Sequence, residues 1–98
     1  MDQQYQNENF TDVIEEIIDS NDTKFGSKVI LFDDNYHTFN QVIRQLQKAI
    51  GCSEEEGFIH ALAVHTTGKS EVYKGDMKNC VRVSGILREI NLKTSIVV

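Results

Sequence analysis

Two carboxylates and an amide follow one another in the segment FDDNYH, at Asp33, Asp34 and Asn35. They lie between a short apolar run and a stretch with helical periodicity. Asp and Asn are good turn formers, so an ordinary strand-to-helix loop is one interpretation. The other is binding, because two adjacent carboxylates repel one another and a cation between them would relieve that repulsion. The segment therefore marks a candidate site for a cationic group.

His65 is the second candidate for chemistry. Residues three, four and seven apart share a helix face, which places Phe58, Ala61, Val64 and His65 together. A histidine on such a face is more often structural than functional. If this face lies near Asp33, however, the small Ala61 would leave space for a pocket with an apolar wall and a polar rim.

Enzymatic and metal-binding patterns are weak. The sequence has no P-loop, GxGxxG, GxSxG or HExxH motif. His60 and His65 would point about 140° apart on a helix, so we expect no zinc site. Cys52 and Cys80 lie in helix-like apolar patterns outside any CxxC pair, which favours buried reduced thiols over a disulfide. We expect no cofactor, and a small hydrolase using His65 and Asp33 is the least favoured alternative.

The composition is that of an ordinary globular domain. Of 98 residues, 40% are apolar and 26% are charged, without the run of roughly 18 apolar residues that a membrane span needs. A net charge of -5 argues against broad nucleic-acid binding and suits a cationic ligand. The polar start MDQQYQNENF lacks the features of a signal peptide, so we expect a cytoplasmic location.

The chain divides into two parts of different character. Residues 1–25 form an acidic, polar extension whose apolar cluster from Val13 to Ile18 has the spacing of a short amphipathic helix. This extension is either a frayed tail or a segment that docks onto a partner or onto the domain. Residues 26–98 form the folded core.

Periodicity in the core predicts the order strand, helix, helix, strand, helix, strand. We expect strands at Lys28–Phe32, Ser70–Lys74 and Thr94–Val98. Capping residues open the helices at Thr38, Ser53 and Asp76, and the helices should run to about Ile50, Gly68 and Ile90. This order predicts an α+β fold, with a three-stranded, mainly antiparallel sheet packed against three helices.

The segments VILFDDNYHTFNQVIRQLQKAI and ALAVHTTGKSEVYKG resemble the core of the ClpS family of Clp protease adaptors. The family pattern is a buried strand, an Asn-Asp-Asp loop, a helical hairpin and an AVH-x-x-GK segment, and the resemblance covers about residues 28–98. It implies a ClpS-like β-α-α-β-α-β fold and a non-enzymatic role. Such an adaptor recognises a free, bulky apolar N-terminal residue, an N-degron, and delivers its protein to a ClpA- or ClpC-type ATPase. The alternative is a regulator that docks on the ATPase without N-degron selectivity.

By position, the resemblance implies roles for individual residues. The α-amino group of the N-degron would be bound by Asp33, Asp34, Asn35 and His65. Hydrogen bonds from the loop would come from His37 and Thr38. The wall of the apolar pocket would be formed by Phe39, Ala61 and Val64, with Ile43 and either Ile96 or Val97 behind. Docking on the N-terminal domain of the ATPase would involve Met77, Lys78 and Arg82, and residues 1–25 would take part in delivery.

Two departures from the family pattern concern the pocket. The loop order is Asp-Asp-Asn instead of Asn-Asp-Asp, which exchanges an amide and a carboxylate and keeps the charge. An α-ammonium group has three donors, and both oxygen types accept, so the chemistry tolerates the exchange. Ala61 replaces a Met that helps gate the family's cavity, and Phe39 would compensate for the volume. The preference among Leu, Phe, Tyr and Trp stays open.

Overall fold

The computed structural model describes residues 26–98, which contain three strands and three helices in the predicted order. Their bounds are β1 Ser27–Phe32, α1 Phe39–Ile50, α2 Glu54–Thr67, β2 Lys69–Gly75, α3 Met77–Leu87 and β3 Thr94–Val97. The α+β prediction is confirmed, and the expected helix at Val13 to Ile18 lies outside the described residues. Between residues 26 and 98, no helix is long and apolar enough to span a membrane.

β1 is the central strand of the antiparallel sheet, which has the order β2-β1-β3. Its last residue, Phe32, lies opposite Lys69, the first residue of β2. On the other side, Leu31 lies opposite Thr94, the first residue of β3. Because both neighbours run antiparallel to β1, both of them begin where β1 ends. Several segments of the chain therefore meet at that edge of the sheet.

The helices cover one face of the sheet. In β1, Val29 and Leu31 are fully buried, whereas Lys28, Ile30 and Phe32 alternate with them on the other face and are partly exposed. Successive side chains of a strand point to opposite faces, so this alternation identifies the core side. The core continues through Leu46, Ala49, Val64, Val72, Cys80, Val83, Leu87 and Leu92.

Local capping sets the ends of the first two helices. The Thr38 hydroxyl accepts the Gln41 N–H, and the Gln41 side chain accepts the Thr38 N–H in return. Ser53 makes the equivalent capping box at the start of α2. Gly51 and Gly68 end the two helices in the left-handed region, with φ of 67° and 94°. These boundaries match the predicted ones because caps are encoded by neighbouring residues.

Two boundaries differ from the prediction. α3 ends at Leu87 and a 3₁₀ turn continues over Arg88–Ile90, where a continuous helix was expected. Last turns of helices often tighten in this way. Gly75, which was expected to turn the chain, is the last residue of β2 and lies opposite Ser27. The chain turns one position later, at Asp76, the N-cap of α3.

The crossing of α1 and α2 gives a test of the packing. A Cβ added at Gly57 would lie 3.0 Å from Ile43 Cγ2, whereas one at Gly85 on α3 would meet nothing within 4 Å. We expect Gly85→Ala to raise the free energy of unfolding by up to about 1 kcal/mol, through helix propensity. Gly57→Ala should be at least about 1 kcal/mol less stable than Gly85→Ala, because the site is overpacked. Urea unfolding followed by circular dichroism measures both, and equal stabilities would contradict the close crossing.

Candidate functional site

A cavity of about 300 Å³ opens where β1 ends and α1 begins. The loop Asp33–Thr38 forms one side, and the second half of α2 contributes another. The polar residues that line the cavity are Asp33, Asp34, Asn35, His37, Thr38 and His65. The structure thus brings the acidic loop and the helix histidine, which are about thirty positions apart in sequence, to the border of one cavity.

The rest of the lining is apolar. It consists of Leu31, Phe32, Phe39, Val42, Ala61, Val64 and Leu92. Phe39, Ala61 and Val64 were predicted as wall residues and lie there. Val42 was missed, although its spacing of three from Phe39 on α1 was a usable signal. Leu92 gave no such signal, because it lies in the link before β3 and reaches the cavity only through the tertiary fold.

Three residues that were expected behind the wall of the pocket do not line the cavity. Ile43 is buried against Gly57 where α1 and α2 cross. Ile96 and Val97 pair with the first half of β1, whereas the cavity lies beyond its last residues. Because β3 runs antiparallel to β1, each step along β3 leads away from the cavity. Only the preceding segment, at Leu92, borders it.

Asp34 organises the loop. Its Oδ1 atom accepts the main-chain N–H groups of Tyr36 at 2.9 Å and His37 at 3.0 Å, as in an Asx turn. Its Oδ2 atom lies 2.7 Å from His37 Nδ1. Burial by itself raises the pKa of Asp34, but these hydrogen bonds outweigh burial and the pKa is lowered. The carboxylate therefore serves the loop and leaves about one acceptor position for a ligand.

His37 connects the loop to the segment that follows α3. Its Nε2 atom lies 2.5 Å from the main-chain oxygen of Ile90, while Nδ1 faces Asp34. Burial lowers the pKa of His37, but hydrogen bonds to the carboxylate and the carbonyl raise it overall, above the ordinary value of 6.5. Thr38 uses its hydroxyl as the cap of α1. In the structure, both predicted loop donors thus bond within the protein.

Asp33, Asn35 and His65 have the unengaged polar side chains of the rim. Within residues 26–98, none of the three makes a side-chain hydrogen bond or ion pair, and all are exposed. The main chain of Asp33 is held in place, since its N–H donates to the Gly68 carbonyl at 3.0 Å. A protonated His37 offsets the charge of Asp34 and so reduces the repulsion expected between Asp33 and Asp34. Among the described residues of the rim, the carboxylate without a partner is that of Asp33.

An aromatic cluster lies beside the free histidine. The Phe39 ring meets the His65 ring edge-on, with centroids 5.6 Å apart and planes at 71°. The Phe39 ring also packs against the Phe58 ring, with the ring centroids 5.8 Å apart. These contacts tie the first residue of α1 to α2 and orient the imidazole at the rim. Ala61, one turn before His65, is 3% exposed.

The residues expected at a docking surface lie on α3. α3 begins after the end of β2, at the opposite edge of the sheet from the cavity. Lys78 is exposed and Met77 is half-buried. Arg82 has a structural contact as well, because its Nη1 donates to the Ala49 carbonyl near the end of α1, at 3.1 Å. Cationic side chains favour such helix ends.

Comparison with known proteins shows which family the chain belongs to. Residues 23–94 match the family model of the ATP-dependent Clp protease adaptor protein ClpS. The chain belongs to the ClpS family. The resemblance seen in the loop and the AVH segment is thereby confirmed, and the family is one of protease adaptors.

The chain is also similar to curated relatives and to a solved structure. Over 72 residues the chain is 33% identical to the human E3 ubiquitin-protein ligase UBR2, which covers 74% of this chain and 4% of the ligase. Mouse UBR1 is 33% identical over 51 residues, 52% of this chain and 3% of the ligase. A structure of Agrobacterium tumefaciens ClpS2 bound to L-phenylalaninamide shares the fold, with a TM-score of 0.66, 18% identity, and coverage of 72% of this chain and 95% of that one.

The contact between Asp34 and His37 predicts how stability depends on pH. The contribution of His37, whose pKa is raised, is complete below 6.5 and is lost as pH rises through the folded-state pKa. That of Asp34, whose pKa is lowered, is complete above 3.8 and is lost as pH falls through the folded-state pKa. His37→Gln should therefore destabilise the protein most between pH 3.8 and 6.5, and less on either side.

Urea unfolding of the wild type and of His37→Gln at several pH values measures this difference. Glu71→Gln, at an exposed carboxylate on β2 that lies 3.8 Å from Lys28, is the matched control. A difference between wild type and His37→Gln that does not change with pH would show that the contact carries no charge-dependent stability.

Proposed function

We propose that this chain binds the free N-terminus of proteins that begin with a bulky apolar residue and presents them to a Clp ATPase for degradation. The observation that supports this most is the convergence of Asp33, Asn35 and His65 on the rim of an apolar cavity. Its volume of about 300 Å³ lies at the small end of ligand sites, which suits one side chain and its α-amino group.

The rim has the chemistry that an α-ammonium group requires. Such a group has three N–H donors and, with a pKa of about 7.7 to 8.0, is mostly charged near neutral pH. The Asp33 carboxylate, the Asn35 amide oxygen and a neutral His65 nitrogen can each accept one hydrogen bond. In this assignment Asp33 supplies the charge, while Asp34 acts by holding the loop. An internal peptide bond offers neither the charge nor the three donors.

The apolar part of the cavity would take the first side chain. Leu31 forms a buried wall, Leu92 forms another, and Phe39 closes the side next to His65. Burying a Leu or Phe side chain fully is worth about 1.5 to 3 kcal/mol. The phenylalaninamide in the Agrobacterium ClpS2 structure has an aromatic side chain and a free amino group, which supports the same class of ligand here.

Fluorescence anisotropy with short labelled peptides tests the recognition step. Peptides that begin with Phe or Leu should bind with micromolar or tighter affinity, and the same peptides acetylated at the N-terminus should bind at least about tenfold more weakly, since the charge and two of the three N–H donors are lost. Asp33→Asn removes the free charge with little change of shape, and His65→Ala removes an acceptor. Each should weaken binding by about one to two decades, corresponding to about 1.5 to 3 kcal/mol.

The control variant for charge is Glu71→Gln, which removes an exposed carboxylate that lies beside Lys28 and does not line the cavity, and it should bind like the wild type. Equal binding of free and acetylated peptides would refute recognition of the N-terminus. Binding that depends on the free amino group but not on Asp33 or His65 would instead relocate the site.

Delivery to a Clp ATPase is the second half of the proposal, supported by membership of the adaptor family. The similarity to UBR1 and UBR2 covers only 3 to 4% of those ligases, so we carry no ligase activity over to this chain. We assign docking to the start of α3, where Met77, Lys78 and Arg82 lie, and a role in delivery to residues 1–25 as an extension of the core 26–98. An adaptor of this kind would act in the cytoplasm.

Titration with a purified ClpA- or ClpC-type N-terminal domain tests the docking. Lys78→Glu should weaken the complex by about tenfold, because the long side chain is exposed and a charge reversal at an interface costs attraction and adds repulsion. Lys74→Glu, on the exposed part of β2, is the matched control. A chain that binds the ATPase domain and no N-terminal residue would be a Clp regulator without N-degron selectivity.

A further inference from the structure

Both ring nitrogens of His37 face oxygen atoms. Nδ1 lies 2.7 Å from Asp34 Oδ2, and Nε2 lies 2.5 Å from the main-chain oxygen of Ile90. A main-chain carbonyl accepts hydrogen bonds and has no proton to donate, and the same holds for an ionised carboxylate. Both contacts are therefore hydrogen bonds only when each ring nitrogen carries a proton.

The contact between Asp34 and His37 Nδ1 would also be a hydrogen bond if the proton were on the carboxyl group of Asp34 and Nδ1 accepted it. The hydrogen bonds within the loop disfavour this protonated form of Asp34. Oδ1 already accepts two main-chain N–H groups, and such bonds favour the ionised carboxylate. The His37 and Asp34 side chains are 13% and 17% exposed, so water and salt screen the pair only weakly. The ring is then an imidazolium bonded to a carboxylate on one side and a carbonyl on the other.

This bridge joins the loop to the segment that leads to Leu92, another part of the cavity lining. The base of the loop is held by the sheet, since Phe32 N–H donates to the Lys93 carbonyl at 2.9 Å. Further along the loop, His37 connects it to Ile90, two residues before the cavity-lining Leu92. Asn35 lies between these two anchors, so its position at the rim depends on the second one.

We propose that His37 is a positioning residue for N-terminal ligands: its imidazolium form holds the loop Asp33–Thr38 against the Ile90 segment and so keeps the rim in its binding geometry. This inference rests on the proposed function. Loss of one proton leaves a nitrogen lone pair facing an oxygen lone pair, and one of the two contacts breaks. The fraction of molecules with an ordered rim then falls, and the apparent dissociation constant rises in proportion.

Other groups near His37 have to be separated from it in any pH profile. The charged or titratable side chains of the loop besides His37, of the far rim and of the segment around Ile90 are Asp33, Asp34, Tyr36, His65, Arg88, Glu89 and Lys93. Glu89 is bound by Lys48 at 2.7 Å on the α1 side. Between pH 6 and 9 the types of group that commonly titrate are imidazoles, thiols and α-amino groups, and the loop, the far rim and the segment around Ile90 carry no thiol. His65 and the peptide itself are therefore the two that need controls.

The test compares the affinity for a Phe-starting peptide at pH 6 and pH 9 in the wild type and in His37→Gln. The peptide loses its own charge equally in both. The ratio of the two dissociation constants should be about tenfold larger in the wild type, as expected for loss of one charge-assisted hydrogen bond. The same comparison is made without His65, between His65→Gln and the double variant His65→Gln/His37→Gln. The ratio of dissociation constants should again be about tenfold larger in the variant that keeps His37, which excludes a contribution of His65 to the difference.

Long-range ¹H–¹⁵N NMR of the imidazoles gives a readout that needs no ligand. Both nitrogens of His37 should be protonated at pH 6, and Asp34→Asn should move the midpoint of deprotonation to lower pH. If the peptide binds at pH 6 but the ratio of its dissociation constants at pH 9 and pH 6 is the same in the wild type and in His37→Gln, the positioning role alone is overturned. Absence of binding at every pH would refute the proposed function and the positioning role with it, and a neutral His37 at pH 6 would overturn the imidazolium.

Discussion

The contact between Asp34 and His37 is the interaction on which the candidate site depends. A rim that offers unpaired acceptors to a cation needs other groups to satisfy the polar atoms of its own backbone. Asp34 does so by accepting hydrogen bonds from the main-chain N–H groups of Tyr36 and His37. The His37 side chain in turn contacts the main-chain oxygen of Ile90, which connects the loop to the segment after α3. The neighbouring Asp33 and Asn35 are thereby left without internal partners. Adjacent residues of similar chemistry thus divide into one that shapes the loop and two that face the cavity.

The place of the cavity follows from the topology of the sheet. A central strand with two antiparallel neighbours has the start of each neighbour beside its own end, so the loop after Phe32 lies between Lys69 and Thr94. The end of α2 and the segment carrying Leu92 are brought to the same edge. No single element could build a hole with an apolar interior and a polar rim. The three connections at this edge of the sheet supply it together.

What could be predicted from the sequence is what neighbouring residues encode. The capping boxes at Thr38 and Ser53 and the strand at β1 follow from local chemistry, and the structure reproduces them. Leu92 and the bond from His37 to Ile90 could not be predicted, because the second joins residues 53 positions apart and neither has a periodic signal. The distance of Ile96 from the cavity could not be predicted for a related reason. The alternation of residues along a strand indicates on which face of the sheet a residue lies, whereas the register between strands decides at which end of the sheet it lies.

The acidic residues are distributed unevenly along the chain, and this affects the argument that the net negative charge favours a cationic ligand. Residues 1–25 carry seven Asp and Glu and one Lys, a net charge of -6, whereas the whole chain carries -5, so residues 26–98 carry +1 with His counted as neutral. The overall acidity on which the expectation of a cationic ligand was based therefore belongs to residues 1–25, and residues 26–98 are close to neutral. At physiological salt, charges further away than about 8 Å are largely screened. Within residues 26–98, the rim carboxylate without an internal partner is that of Asp33, which makes it the described charge that is available to a cation there.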